Sequence, residues 1–408
     1  MRVWARVIGE ADALVLLGLL GTSPSENFLS PSSLYNLRTE HKVVLQPQGV
    51  TLPKSVVDLV AAHNAKVVTL GVQSADKLRP LLEGTTLKEC DKIRVTRTTA
   101  GPIAKSFQVE DDDDDETRNF AHAEWTAVTG DLDGPLLTCW GPAVLVQDQS
   151  KSVRITFLQD DGGTDLLDVN NHRGPLTFPQ LLDLAEQLSI GLQRLRTRGV
   201  IHDDLKPENI VTNVDGVFRI IDFNLARSAD WKLTGRTQGT PEYAAPEKLS
   251  AAHENARFSC FESDVWSAAM TLGALAANEV SDLNRHAWKE PKRWPEWSWS
   301  VCACVHRGLL ANKWPSGKSV AISQFVGMLR DMLRLDPRKR IPPEEIMARV
   351  QEIRSNFKRS GEPVVLVAPL WDSQVQFETI PGYHSLKREV STSLMSLDLT
   401  GDRNEALL

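Results

Sequence analysis

The sequence predicts an α+β chain with more than one domain-sized part, on three observations. Its 408 residues exceed a single average domain. Short apolar runs at Lys42–Leu45, Lys66–Val72, Arg154–Leu158 and on either side of Asp215-Gly216 read as strands. Leu181, Leu184, Leu188, Leu192 and Leu195 recur at helical spacing, and Ala268–Ala277 is apolar all round, as in a buried helix.

From the N-terminus, Ala13–Leu20 is apolar and follows Arg2 and Arg6, but Glu10 and Asp12 interrupt the basic stretch. The run is far shorter than the ~20 residues that span a bilayer, so it reads as a short buried helix or strand. Pro53–Ala65 carries Val56, Val57, Leu59 and Val60 at helical spacing between two strand-like runs. This pattern suggests a small strand-helix-strand unit within residues 1–84. The net charge of -7 gives no electrostatic reason to expect nucleic acid or an anionic membrane as partner. Five scattered cysteines (Cys90, Cys139, Cys260, Cys302, Cys304), without paired spacing for zinc, fit a reducing, cytoplasmic compartment, with nuclear access open.

The most informative stretch is Gly199–Phe223, GVIHDDLKPENIVTNVDGVFRIIDF. Asp215-Gly216 favours a tight hairpin between Ile210–Thr212 and Val217–Ile221. Asn209 begins one strand and Asp222 ends the other, so both oxygens are expected at the same open end. Asp204 and Lys206 lie on the loop that feeds the hairpin. A hard cation such as Mg²⁺ takes Asp and Asn oxygens and binds polyphosphate with its remaining sites. The cluster points to phosphoryl transfer, which needs a base near the acceptor hydroxyl and a cation near the transferred group.

His202-Asp203-Asp204-Leu205-Lys206-Pro207-Glu208-Asn209 resembles the catalytic loop of eukaryotic protein kinases. Asp222-Phe223-Asn224 resembles the metal-binding triplet, and Gly239–Glu247 the end of an activation segment. Ser263–Ser267 looks like the start of the buried central helix, and Arg340 like the arginine that pairs with Glu247. The motifs occur in order, and the resemblance covers roughly residues 85–355.

The resemblance implies a bilobal fold, with a small β-rich lobe at 85–158 and a large, mostly helical lobe at 159–357. Ile103-Ala104-Lys105 resembles the strand whose lysine contacts the α and β phosphates of ATP, and Glu124, nineteen residues on, is its expected partner. Asp222 and Asn209 are the expected Mg²⁺ ligands, Asp204 the base and Lys206 the cation beside the transferred phosphoryl group. Phe157 is placed at the adenine pocket, with Gln159 and Asp160 in the hinge. Where three glycines are expected over the phosphates, Glu83–Glu89 supplies only Gly84, and Glu89 would approach the phosphates. His202 is expected to be structural.

The acidic run Glu110–Glu116 reads as a solvated linker before the helix of Glu124. Thr177 is placed to cap the leucine-bearing helix and Gly199 to end it. Trp288, Trp294, Trp297, Trp299 and Trp314 crowd residues 288–314; core filling is the favoured role, with partner docking as the other. Cys302 and Cys304 in that stretch read as buried thiols. Pro342–Phe357 suits a last helix, and the tail 358–408 is largely disordered in this reading, apart from a strand candidate at Val364–Val367.

Lys206-Pro207-Glu208 and Thr240 imply a Ser/Thr protein kinase acting on protein substrates. Two departures stand out. Asp203 occupies the place of an arginine that usually binds a phosphorylated activation loop, which suggests activity without that phosphorylation at Ser228, Thr234 or Thr237. Asn224 replaces a glycine, mildly, because Asn tolerates left-handed backbone. The alternatives are a pseudokinase that binds nucleotide or acts as a scaffold and, from another enzyme class, a small-molecule phosphotransferase.

Overall fold

A computed structural model describes residues 43–70, 82–90, 92–99, 103–109, 121, 124–127, 135–136, 143–147, 152–159, 161–212, 216–228, 239–249, 260–277, 280, 283, 289, 293–311 and 319–358. Ala13–Leu20, Glu110–Glu116, Cys139, Asp160, Asp215, Thr234, Thr237 and the tail beyond Lys358 lie outside the described residues. The chain divides into two compact units, one of Met1–Gly163 with Ile221–Ala226, the other of Thr164–Ile220 with Arg227–Leu408. A β-sheet unit is thus followed by a helical one, the α+β arrangement that the resemblance implies.

The first unit is built on β1 (Val43–Pro47), α1 (Lys54–Ala62), β2 (Lys66–Leu70), β3 (Gly84–Cys90), β4 (Ile93–Thr98), β5 (Ile103–Val109), β6 (Ala143–Gln147) and β7 (Val153–Gln159). These make one seven-stranded sheet in the order β2-β1-β6-β7-β5-β4-β3. From β6 to β3 all neighbours are antiparallel. β1 instead joins both β2 and β6 in parallel, Val44 lying opposite Val67 and Ala143. Parallel neighbours need a crossover, and between β1 and β2 it is α1 that provides it while burying Val56 and Leu59. Val44, Leu45, Phe107, Leu145, Ile155 and Phe157 are fully buried around the sheet.

Glu83–Glu89, expected to supply the loop over the phosphates, instead run into a strand from Gly84 on. Thr85 and Thr86 are β-branched and favour extended backbone, and the chain reverses later, between Cys90 and Ile93, which pair with each other. Gly84 therefore stands at the start of β3 opposite Thr98, where a Cβ would meet the Arg97 carbonyl oxygen at 2.0 Å. Its glycine is required by this close approach of two backbones. All of β3 is exposed, as befits a sheet edge.

The second unit comprises β8 (Thr164–Asp165), α2 (Leu166–Arg173), α3 (Phe178–Thr197), β9 (Val200–Ile201), β10 (Ile210–Thr212), β11 (Phe218–Ile220), β12 (Arg227–Ser228), α4 (Pro246–Leu249), α5 (Phe261–Ala276), α6 (Trp294–Ala311), α7 (Ser319–Met332) and α8 (Pro343–Lys358). Thr177 and Gln180 form a capping box on α3, and Gly199 adopts a φ of 69° just past its end. α5 is buried at every residue from Ser263 to Ala276. Phe178 of α3 meets Phe325 of α7 and Phe357 of α8 edge-on, with centroids 5.5 and 5.1 Å apart. Trp297 is buried 5.7 Å from Trp266, so it fills core, while Trp294 and Trp299 are half-buried; Trp288 and Trp314 lie outside the described residues. Cys302 and Cys304 are buried, and burial pushes the Cys302 thiol up to about 12. Among the described residues, no helix is long and apolar enough to cross a membrane.

Candidate active site

In the first unit, β5 carries Lys105 into the interior. Its Nζ donates to Glu124 Oε2 at 2.6 Å and to Asp222 Oδ1 at 3.2 Å. Glu124 comes from residues 124–127, which are helical. Burial works against the Lys105 ammonium, but the Glu124 and Asp222 carboxylates outweigh it and hold its pKa above the ordinary lysine value. Burial likewise disfavours the Asp222 carboxylate, yet Lys105 and Lys88 hold its pKa well below the usual range. The result is a fixed ion pair beside an ionised oxygen donor, a donor set that suits polyphosphate and a hard cation.

Two further side chains shape this cluster. Gln159 is buried and donates from Nε2 to the other oxygen of Glu124. Gln159, expected in the hinge, thus orients the carboxylate that holds Lys105. Lys88 of β3 donates to Asp222 Oδ2 at 3.2 Å. Glu89, expected to face the phosphates, is bound to Arg94 across the strand pair, with Arg94 Nε 2.8 Å from its Oε1. Phe157 is fully buried between Phe107 and Trp125, and His63, at the end of α1, stacks on Trp125 at 4.9 Å. Asp222 itself has the left-handed backbone, φ 63°, whereas Asn224 does not, so replacing glycine at 224 needs no tolerance of positive φ.

In the second unit, β10 and β11 form the expected hairpin, Ile210 opposite Ile220, and Gly216 adopts a φ of 73°. The residues of the loop that precedes this hairpin assemble tightly. Asp204 Oδ1 accepts the Thr240 N–H at 2.7 Å, and its Oδ2 lies 3.0 Å from Lys206 Nζ. Lys206 in turn donates to Thr240 Oγ1 at 2.7 Å. Asn209 donates its amide nitrogen to the Asp204 carbonyl at 2.7 Å, which leaves its side-chain oxygen as the atom it can offer a cation.

The loop is held from below. His202 is fully buried and accepts the Asp204 N–H on Nδ1 at 3.3 Å. Asp264 of α5 accepts the His202 and Asp203 N–H groups at 2.7 and 2.9 Å, and burial raises its pKa. Glu247 and Arg340 form a bidentate pair at 2.7 Å on each arm.

The substituted residue Asp203 is buried, with φ 67°. Its carboxylate pairs with Arg227 of β12 and, at 2.6 Å, with Lys248 of α4. Lys248 also donates to the Asp203 carbonyl at 2.6 Å. These two cations were not singled out in the sequence. The signal was there in principle, because a carboxylate in place of an arginine, once buried, requires cations nearby.

Lys105, Glu124, Asp222 and Gln159 are thus brought together in one unit, and Asp204, Lys206 and Asn209 in the other. A family model described as the protein kinase domain matches residues 146–350, half of the chain, taking in the catalytic loop, Asp222 and Glu247. A probable serine/threonine-protein kinase of Dictyostelium discoideum is 24% identical over 62% of this chain and 27% of its own length. CBL-interacting protein kinase 29 of Oryza sativa subsp. japonica is 32% identical over 38% of this chain and 36% of its own. Serine/threonine-protein kinase PknE of Mycobacterium tuberculosis is 37% identical over 23% of this chain and 17% of its own. The chain therefore spans little more than a third, at most, of the length of these relatives. On the family match, and on the loop geometry it encompasses, the chain belongs to the protein kinase family.

Proposed function

We propose that the chain transfers the γ-phosphate of ATP to Ser or Thr hydroxyls of protein substrates, with Mg²⁺ as cofactor. The observation that carries this reading is the loop constellation in which Thr240 and Lys206 fix the Asp204 carboxylate, Oδ1 on the Thr240 amide and Oδ2 beside the ammonium. A base held in this way is ready to accept the hydroxyl proton. As the hydroxyl oxygen bonds to the γ-phosphorus, the bond to the β–γ bridging oxygen breaks, the proton passes to Asp204, and ADP leaves. Lys206 offsets charge on the transferred group, and Lys105, fixed by Glu124, engages the α and β phosphates. Bound Mg²⁺ would neutralise phosphate charge; Asp222 supplies a carboxylate for it and Asn209 an amide oxygen. Names of the relatives, all serine/threonine or protein kinases, support the Ser/Thr assignment.

The same reading includes activity without activation-loop phosphorylation. Where a phosphate would have to recruit an arginine, Asp203 already binds cations from both ends of the segment, Arg227 and Lys248. A built-in ion cluster replaces the modification.

The test is Mg²⁺-dependent transfer of labelled γ-phosphate from ATP to a basic protein by wild type, Asp204→Asn and Asp222→Ala. Transfer by wild type that both variants lose supports the assignment. The extended, single-glycine β3 favours a second reading, a nucleotide-binding pseudokinase. Silence from wild type, together with a melting temperature that ATP still raises, would establish it instead.

A further inference from the structure

In the first unit, the register of three adjacent strands places Lys88 of β3 opposite Val95 of β4, and Val95 opposite Lys105 of β5. Residues directly opposite in antiparallel strands share a face, so the two lysines lie on the same side of the sheet. This alignment depends on an irregularity. Thr86 pairs with Thr96 but Lys88 with Val95, so Leu87 is an extra residue in β3. Without that bulge the register would slip by one, and Lys88 and Glu89 would exchange faces. As folded, Glu89 is directed to Arg94, and Lys88 reaches Asp222 Oδ2 while Lys105 takes Oδ1.

Two ammonium groups thus converge on one carboxylate, from opposite oxygens. Their environments differ. The Lys105 side chain is 5% exposed and tied to Glu124, whereas that of Lys88 is 59% exposed and has no second carboxylate partner in the described contacts. A cation on Asp222 Oδ2 would displace the Lys88 ammonium, and a long, exposed side chain has the freedom to swing to an anion beside it. Meanwhile β3 lacks the glycine loop whose backbone amides would normally supply positive character over phosphates.

We propose that Lys88 is a phosphate-binding residue of this site, its ammonium taking over from the missing glycine-rich cradle by binding phosphate oxygens of a nucleoside di- or triphosphate. The inference rests on the kinase reading above and deepens it. Lys88 acts as a side-chain charge where backbone amides would act elsewhere, so the extended conformation of β3 becomes compatible with nucleotide binding.

The test is calorimetric titration of the full chain, in the presence of Mg²⁺, with ADP, a non-hydrolysable ATP analogue and adenosine, for wild type, Lys88→Met and Lys88→Arg. Lys88→Met is expected to weaken binding of both phosphorylated ligands about tenfold, about 1.4 kcal/mol, and to leave adenosine within about twofold. Lys88→Arg keeps the charge and should recover most of the affinity. Unchanged ADP and analogue affinities in Lys88→Met would overturn the assignment while leaving the kinase reading intact. Equal weakening of adenosine would also overturn it, since the effect would then be on the fold and not on phosphate. A wild type that binds none of the three would remove both proposals together.

Discussion

The Lys248 ammonium lies 2.6 Å from the Asp203 carboxylate with both side chains almost sealed from water, 2% and 0% exposed. Removing Asp203 leaves the Lys248 and Arg227 cations buried without their carboxylate, at a cost of about 3–5 kcal/mol, whereas removing Lys248 leaves Asp203 still paired with Arg227. Asp203→Asn should lower stability by an amount in that range, and Lys248→Met by less. The double variant should lose much less than the sum, and chemical denaturation of all three measures the coupling. Strictly additive losses would show that the two groups do not act together. If the cluster orders the activation segment, alanine at Ser228, Thr234 and Thr237 together should preserve most transferase activity, and a large loss would return the segment to phosphorylation control.

Gly239 precedes the threonine that fixes Asp204. Its φ is 94°, and a Cβ there would meet the Asp203 carbonyl oxygen at 2.6 Å. Gly239→Ala therefore combines backbone strain of roughly 1–3 kcal/mol with a clash that moves Thr240 away from Asp204. The expected outcome is a fall in kcat of at least about tenfold, with nucleotide affinity changed little. Steady-state kinetics paired with nucleotide titration separate the two effects.

Gln159 donates to the oxygen of Glu124 that Lys105 does not use. Gln159→Leu leaves that buried acceptor without its donor, at a cost of about 1–3 kcal/mol. Gln159→Glu should be worse, because two buried carboxylates then face each other. Both variants should bind ATP more weakly than wild type, in that order, as read by titration. Equal affinity in all three would mean that Glu124 is held in place by its helix alone.

Acid sensitivity has a local source at Asp331. Burial works against its carboxylate, but hydrogen bonds from Arg349 and Arg334, each 2.7 Å, outweigh this and hold its pKa below the ordinary value. A carboxylate depressed in the folded state stabilises it above the unfolded pKa of about 3.9, and that contribution fades as pH falls through the folded value. Asp331→Asn should therefore melt below wild type at about pH 7, with the gap closing toward about pH 3. A gap independent of pH would assign the loss to packing.

The parts of the site legible in sequence were those encoded locally. The spacing of Lys105 and Glu124 and the run from His202 to Asn209 need no knowledge of distant residues, and the hairpin followed from strand runs on either side of a turn. What escaped reading depended on register and long-range charge. The single glycine at 84 drew a loop where two threonines make a strand, and the bulge at Leu87, which sets the face of Lys88, leaves no trace in composition. The partners of Asp203 are 24 and 45 residues away in sequence, so only folding brings them to it. The replacement of glycine by Asn224 does not draw on the tolerance of Asn for left-handed backbone, because the positive φ sits two residues earlier, at Asp222.

β1 occupies the edge of β6 that would otherwise be open, and it does so in parallel, through Val44 and Leu45. The family match begins at residue 146, inside β6, and the kinase-like motifs begin only near Gly84. A polypeptide beginning near Gly84 would present the backbone donors and acceptors of the β6 edge to solvent, and one beginning at residue 146 would lack most of β6 as well. Such an edge invites pairing with another molecule. The smallest piece of this protein able to stay monomeric in solution should therefore include Val43–Leu70, and a fragment without it should form concentration-dependent aggregates in light scattering.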